Sequence, residues 1–296
     1  MKICIFGNKI STSNLIKHLF KNQIKVSHLV LLNKSSTDKI QISGVDENLM
    51  NNAIKKNINV HFAKNYSLND ENDMNFFFNE RFDLGLVAGW QRIIPEDILK
   101  MFKFGVFGWH GSGFEFPNGR GRSPLNWSIR LGLNKIYHNC FRYNAGIDTG
   151  DIFETKEIEI KESDYIADLQ KKAFDHITSS STRLIQDLRN SKLKLYPQIK
   201  SPFIIFPPLN ENSGQIFHEQ MSCKIAIQII RSCSKPFPGA FLIYKSNKYR
   251  IWKANYFSMA ENKLNKNENI FIEADSLYVR LKDGLIKSNN FEIQQI

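Results

Sequence analysis

Phe104-Gly105-Val106-Phe107-Gly108-Trp109-His110-Gly111-Ser112, taken with the later Gly146-Ile147-Asp148-Thr149-Gly150-Asp151-Ile152, decides how this chain is read. The short apolar run predicts a strand that delivers His110 to the mouth of a sheet. Between the two segments lies the loop Pro117-Asn118-Gly119-Arg120-Gly121-Arg122-Ser123-Pro124, and then Leu125-Asn126-Trp127-Ser128-Ile129, whose periodicity suits a helix. A histidine in such a place can shuttle protons, and Asp148 could orient it or stabilise its charge.

Upstream, Lys2 to Gly7 predicts a buried first strand and a glycine turn, and Asn14 to Phe20 the start of a helix. Val26 to Leu32, Ile58 to Phe62 and Phe82 to Trp90 predict further strands, so an α/β opening unit is expected. The polar stretches Asn33 to Asn57 and Asn65 to Asn79 are expected to be loops with short helices. Gly7-Asn8-Lys9 is not a G-x-G-x-x-G fingerprint and no Walker loop occurs, which argues against a dinucleotide or ATP enzyme. Downstream, Ile166, Leu169, Ala173, Ile177, Leu184 and Leu188 keep helical spacing to about Asn190. Ile199-Lys200-Ser201-Pro202 and Phe206-Pro207-Pro208 are expected to form a stiff linker. Beyond it, a helix over Ile225 to Ser232 and strands at Phe241–Lys245, Tyr249–Ala254, Ile270–Glu273 and Ser276–Lys282 predict a small β-barrel. The expected division is residues 1–200 and 201–296.

The motif region resembles the folate-dependent formyltransferases, the family that includes methionyl-tRNA formyltransferase, glycinamide ribonucleotide transformylase and the nucleotide-sugar N-formyltransferases. Members carry, in order, Asn-x-His-x-Ser, a Pro and Arg-Gly loop, Ser/Ala-Pro-x-x-Trp, and Gly-x-Asp-Ser/Thr-Gly. Here these read Gly108-Trp109-His110-Gly111-Ser112, Pro117 with Arg120-Gly121, Ser123-Pro124-Leu125-Asn126-Trp127, and Gly146-Ile147-Asp148-Thr149-Gly150. Ile230-Arg231-Ser232 with Lys235-Pro236-Phe237-Pro238-Gly239-Ala240 resembles the C-terminal domain motif of the methionyl-tRNA and UDP-aminoarabinose formyltransferases, which implies an OB-like barrel that does no chemistry. The resemblance implies a Rossmann-like formyltransferase domain, N10-formyltetrahydrofolate as formyl donor and a primary amine as acceptor. It implies His110, Asp148, Gly108 and Ser112 as the catalytic positions. The folate wall it implies runs over Gly89, Trp90, Ile93 and Ile94, and it implies Gly146 and Asp148 as further cofactor-binding positions.

Two departures stand out. The family's asparagine, two residues before the histidine, is Gly108 here. That amide stabilises the oxyanion in the family, and losing one such donor costs about 2.7–4 kcal/mol. A protonated His110, the Ser112 hydroxyl, a backbone N–H near Gly108 or a fixed water could donate instead. The loop Gly113-Phe114-Glu115-Phe116 is also enlarged, which could reshape the acceptor pocket.

For the acceptor, Arg120 and Arg122, flanked by Gly121 and followed by Ser123 and Trp127, could grip a phosphate of a nucleotide-linked amino sugar; an Arg paired with a nearby carboxylate is the plainer alternative. The wording of these motifs resembles the sugar enzymes more than the tRNA enzymes. The formal net charge of +11 invites a tRNA partner, yet Lys and Asn are spread throughout, as in Lys55-Lys56-Asn57 and Lys263-Leu264-Asn265-Lys266-Asn267. Three readings are carried forward: a nucleotide-sugar N-formyltransferase, a methionyl-tRNA formyltransferase, and a catalytically impaired member that only binds folate or sugar nucleotide. A homodimer is open.

The 296 residues suffice for a large core, and no run has the length to cross a bilayer, so a cytoplasmic protein without membrane association is expected. Cys4, Cys140, Cys223 and Cys233 show no metal spacing and are read as free thiols, with no metal site expected. His138 is read as structural, Asp151 as capping a helix or strand with lining the site as the alternative, and the remaining histidines as surface or core residues.

Overall fold

A computed structural model of the chain describes residues 1–34, 36–37, 45–258 and 268–296. The segment Lys263-Leu264-Asn265-Lys266-Asn267 and part of the Asn33 to Asn57 stretch lie outside the described residues. The first unit runs β1 (Ile3–Phe6), α1 (Ile10–Lys21), β2 (His28–Leu31), α2 (Leu49–Ile54), β3 (Asn59–Phe62), α3 (Glu71–Glu80), β4 (Leu84–Val87), α4 (Glu96–Lys100), β5 (Val106–Ser112), β6 (Arg120–Gly121), α5 (Pro124–Arg130), β7 (Lys135–Arg142), β8 (Ile152–Glu159), α6 (Ile166–Arg189) and β9 (Ile205–Phe206). The second contains α7 (Cys223–Cys233), β10 (Ala240–Tyr244), β11 (Asn247–Phe257), β12 (Ile270–Glu273), β13 (Ser276–Leu281) and β14 (Gly284–Gln295).

The first sheet has seven strands in the order β3-β2-β1-β4-β5-β7-β8. β1 to β5 are parallel, while β7 and β8 run antiparallel. Fully apolar strands such as Ile3–Phe6 and Leu84–Val87 are buried on both faces because helices cover each side. One face packs α1 and α6 over Ile3, Ile5, Leu29 and Leu84, with Leu15, Leu19, Leu184 and Leu188 facing them. The other packs Phe6, Phe77, Phe82, Phe102 and Trp90 into an aromatic cluster. Chain order reverses between β1 and β4, and crevices at such a switch point, outside the carboxyl ends of the strands, are where open α/β sheets bind ligands. The Asn65 to Asn79 stretch, expected to be loop with short helices, holds α3, whose start Asp70 caps by accepting from the Asn72 amide.

The expected barrel is a five-stranded antiparallel sheet ordered β10-β11-β14-β13-β12, curled over α7. Its edge strands do not pair among the described residues, although Lys245 and Glu268 approach to 3.1 Å across that gap. The two units are joined by specific polar contacts: Arg231 on α7 donates to the Asp164 and Lys161 carbonyls at 2.7 Å each, and the Asn126 amide donates to the Ser232 carbonyl at 2.7 Å. Among the described residues no helix is long and apolar enough to cross a membrane. Cys4, Cys140 and Cys223 are buried free thiols, Cys233 a partly buried one, and no group of metal-ligating side chains occurs among the described residues.

Candidate active site

Strand β5 outruns its parallel neighbour. Its pairing with β4 ends at Gly108 opposite Val87, and from Trp109 to Ser112 it is hydrogen-bonded only to β7. The overhang carries His110 beyond the end of the β4 pairing. Side chains alternate along a strand, so Gly108, His110 and Ser112 share one face with their β7 partners Phe141, Asn139 and Tyr137.

His110 is 8% exposed, its ring stacked on Phe116 at 5.3 Å between centroids. Its Nε2 lies 2.7 Å from the Gly119 carbonyl, which can only accept, so Nε2 carries a proton. Nδ1 faces Asp148 Oδ2 at 3.4 Å. One ring nitrogen is thus fixed on backbone and the other, beside a carboxylate, is left to exchange protons. Asp148 sits in a left-handed conformation (φ 51°) inside the Gly146 to Gly150 turn. Its carboxylate also faces the Gly121 N–H at 3.4 Å. The turn is tight: a Cβ on Gly150 would fall 1.5 Å from the Arg142 carbonyl oxygen.

The segment read as a linker is part of this site. Ile205–Phe206 pairs in parallel with Arg120–Gly121, the Gly119 N–H donates to Ile204 at 2.9 Å, and the Arg122 N–H donates to Phe206 at 3.0 Å. Phe206 stacks on Trp127 (5.6 Å, 11° between planes), whose indole N–H donates to the Pro207 carbonyl at 2.9 Å. Gln198 spans the site's two loops: its oxygen accepts from Arg120 Nη2, and its Nε2 donates to the Asp148 and Gly150 carbonyls at 2.9 and 2.8 Å. The stretch expected to be a stiff linker is therefore pinned to the first unit through Ile205–Phe206.

Several expected roles change on this geometry. Arg120 is 5% exposed, bonded to Gln198 and lying over the Phe203 ring at 4.5 Å, so its guanidinium braces the loop and does not face solvent. Gly121 admits the chain's own backbone, since a Cβ there would meet the Phe206 oxygen at 2.5 Å; it does not make room for a ligand. Ser112 is fully buried, accepts from the Phe114 N–H at 3.2 Å and lies under Gly119, where it shapes the enlarged loop. Trp90 (5% exposed) and Ile94 (1%) belong to the aromatic core because α3 and α4 cover that face of β4. Gly89, with φ 98°, lies in the turn after β4, and Ile93 is exposed. Gly146 lies in the exposed turn, its N–H on Asn144 Oδ1. Ser123 (φ 55°) precedes α5, and Arg122 is exposed. His138 is buried against His176 (Nδ1 to Nδ1 2.8 Å), which reaches Glu154 at 2.9 Å, and the Asp151 carboxylate pairs with Arg142 at 2.8 Å.

Three residues escaped the sequence reading. Gln198 and Tyr143 approach the site only through tertiary folding. Lys9, at the turn after β1, lies against Gly89, and its ammonium is pushed below its ordinary range by burial and then by Arg122. Neither Lys9 nor Arg122 is paired with a carboxylate among the described residues, and cations left so favour an anion. Burial raises the nearby Tyr66 phenol, opposed by its bond to the Gln91 N–H and by Arg92 and Arg122.

Residues 1–180 match the family described as formyl transferase. The chain belongs to that family. A methionyl-tRNA formyltransferase of Alkaliphilus oremlandii is 29% identical over 196 residues, covering 66% of this chain and 62% of the relative. The chain matches just under two thirds of the length of the first such curated relatives. The bifunctional polymyxin resistance protein ArnA of Wigglesworthia glossinidia brevipalpis is 30% identical over 261 residues, 86% of this chain and 38% of that one. Among solved structures, the N-formyltransferase of Helicobacter canadensis, in complex with folinic acid and dTDP-3-aminofucose, superposes with a TM-score of 0.67 at 17% identity, covering 99% of this chain and all of that one. This last likeness supports the two-unit fold of the formyl transferase family member described here.

Proposed function

We propose that the chain is an N-formyltransferase that moves a formyl group from N10-formyltetrahydrofolate to a primary amine of a nucleotide-linked amino sugar. The observation that supports the acceptor class is that Lys9, packed on Gly89 past the carboxyl end of β1, and the exposed Arg122, next after Arg120–Gly121, have no carboxylate partner among the described residues: two such cations suit a diphosphate, where a polynucleotide would require an extended basic face. The Asn8 Nδ2 donor, buried past the carboxyl end of β1, has no partner among the described residues, and a heteroaromatic ring rich in acceptors fits it. In this reading Gly89, Ile93 and Asp148 hold the folate, which supplies an activated formyl group.

His110 does the proton work. With Nε2 committed to Gly119, Nδ1 takes the proton of the attacking amine and returns it to the departing nitrogen. Asp148, 3.4 Å away, stabilises the imidazolium in between. Methionyl-tRNA is the second reading, favoured by the identity of the curated sequence relatives.

The test is formyl transfer from N10-formyltetrahydrofolate to dTDP-linked amino sugars and to methionyl-tRNA, with the His110→Asn and Arg122→Ala variants. The reading expects turnover on a sugar nucleotide, abolished by His110→Asn and weakened through the acceptor KM by Arg122→Ala. Turnover on methionyl-tRNA alone would replace the acceptor.

A further inference from the structure

We propose that the Tyr143 hydroxyl is the donor that stabilises the oxyanion of formyl transfer, occupying the space left open at Gly108; the proposal rests on the formyl-transfer reading above. Gly108 and Phe141 are cross-strand partners, and the next residue on that face of the β7 chain is Tyr143. Its N–H is fixed on the Val106 carbonyl at 2.7 Å and its ring is stacked on Phe141 at 5.1 Å. From there the phenol reaches back over Gly108. A Cβ built on Gly108 would lie 2.4 Å from Tyr143 Cε1 and 2.5 Å from its hydroxyl oxygen. The phenolic O–H therefore stands where the first side-chain carbon of any other residue would be, on the same face as His110.

The two positions are complementary: only glycine admits the phenol, and the phenol brings back the hydrogen-bond donor that glycine lacks. Among the described residues no group bonds the Tyr143 hydroxyl. Burial, then Asp148 and Cys140, hold the phenol well above its ordinary range, so it keeps its proton. Ser112 is not a rival, being sealed beneath Gly119.

The step balances as follows. The amine lone pair forms the new C–N bond while the carbonyl π pair moves to the formyl oxygen, where the Tyr143 O–H donates to it. The pair then returns, the bond to N10 breaks, and N10 takes the proton that His110 received from the amine.

The experiment compares wild type, Tyr143→Phe, Gly108→Asn and the double variant Gly108→Asn/Tyr143→Ala, all as the full chain. The readouts are tetrahydrofolate binding, transfer to dTDP-linked amino sugars and to methionyl-tRNA, and formate release from N10-formyltetrahydrofolate alone. Tyr143→Phe should bind tetrahydrofolate like wild type, with kcat down about 100- to 1,000-fold and the acceptor KM little changed. Gly108→Asn alone should fail, because its Cβ collides with the ring, and the double variant should exceed Tyr143→Phe by about tenfold or more as the amide takes over. Wild-type kcat in Tyr143→Phe overturns the proposal. So does a wild-type chain that binds tetrahydrofolate yet yields neither formylated acceptor nor formate. Failure of wild type to bind tetrahydrofolate would instead remove the functional reading on which the proposal stands.

Discussion

Replacing Gln198 by leucine should loosen the site more than any other single change in the crossing segment. The amide makes three bonds: one accepted from the Arg120 guanidinium and two donated, at 2.9 and 2.8 Å, to the Asp148 and Gly150 carbonyls. A bond to a charged group contributes roughly 1.5–3 kcal/mol net and each neutral one about 0.5–1.5 kcal/mol. Gln198 is only half-buried, so water can replace part of this, and about 3 kcal/mol is the expected loss for Gln198→Leu. Arg120 makes the loss hard to absorb, because its Nε is already buried without a partner. Gln198→Glu separates the two halves: it keeps an acceptor for Arg120 but has no N–H for the two carbonyls, so about half the loss is expected. Equilibrium urea unfolding of the three proteins measures both. Changes below about 0.5 kcal/mol in both variants would refute the reasoning, as surface substitutions commonly stay within that range.

Stability should fall as the pH drops below neutrality. Burial lowers the pKa of His18, His28, His138 and His176 below their ordinary 6.5, so these rings stay neutral in the fold while the unfolded chain takes up protons. Their contribution is complete above 6.5 and is lost as the pH falls from there towards their depressed folded values; an unchanged or higher urea midpoint at pH 5.5 than at pH 7.5 would contradict this. Arg231→Ala should cost roughly 2–4 kcal/mol, because two carbonyls lose buried charge-assisted donors. Faster hydrogen exchange at the start of α6 is expected with it, and unchanged urea unfolding and exchange would show that Arg231 is not a tie between the units.

What the sequence revealed depended on local signals. His110 and Asp148 were legible because each sits in a short motif whose glycines and apolar run imply a strand end and a turn, and the structure brings the two within 3.4 Å. Tyr143 was not, since its approach to Gly108 arises from the antiparallel register of β5 and β7, which no spacing encodes. The apolar wording around Trp90 and Ile94 is the same for a pocket wall and a core, and only the packing of α3 and α4 decides between them. Strand β14 escaped because Lys287-Ser288-Asn289-Asn290 breaks the alternation, yet it pairs with both β11 and β13 through its backbone.

The glycines of the Gly119 to Gly121 loop teach a related point. Their freedom suggested room for a phosphate, but the backbone that comes close is the chain's own, from Ile204 to Phe206. That segment is held by strand pairing, one ring stack and the Gln198 amide, while Phe203, Ile204 and Ile205 stay exposed. An element with many hydrogen bonds and little buried apolar surface lies at the low end of local stability. The loop that fixes His110 through the Gly119 carbonyl is therefore ordered by a few directional bonds. The same crossing leads into the second unit, so that unit is tied through Pro207 and Trp127 to the loop that positions His110.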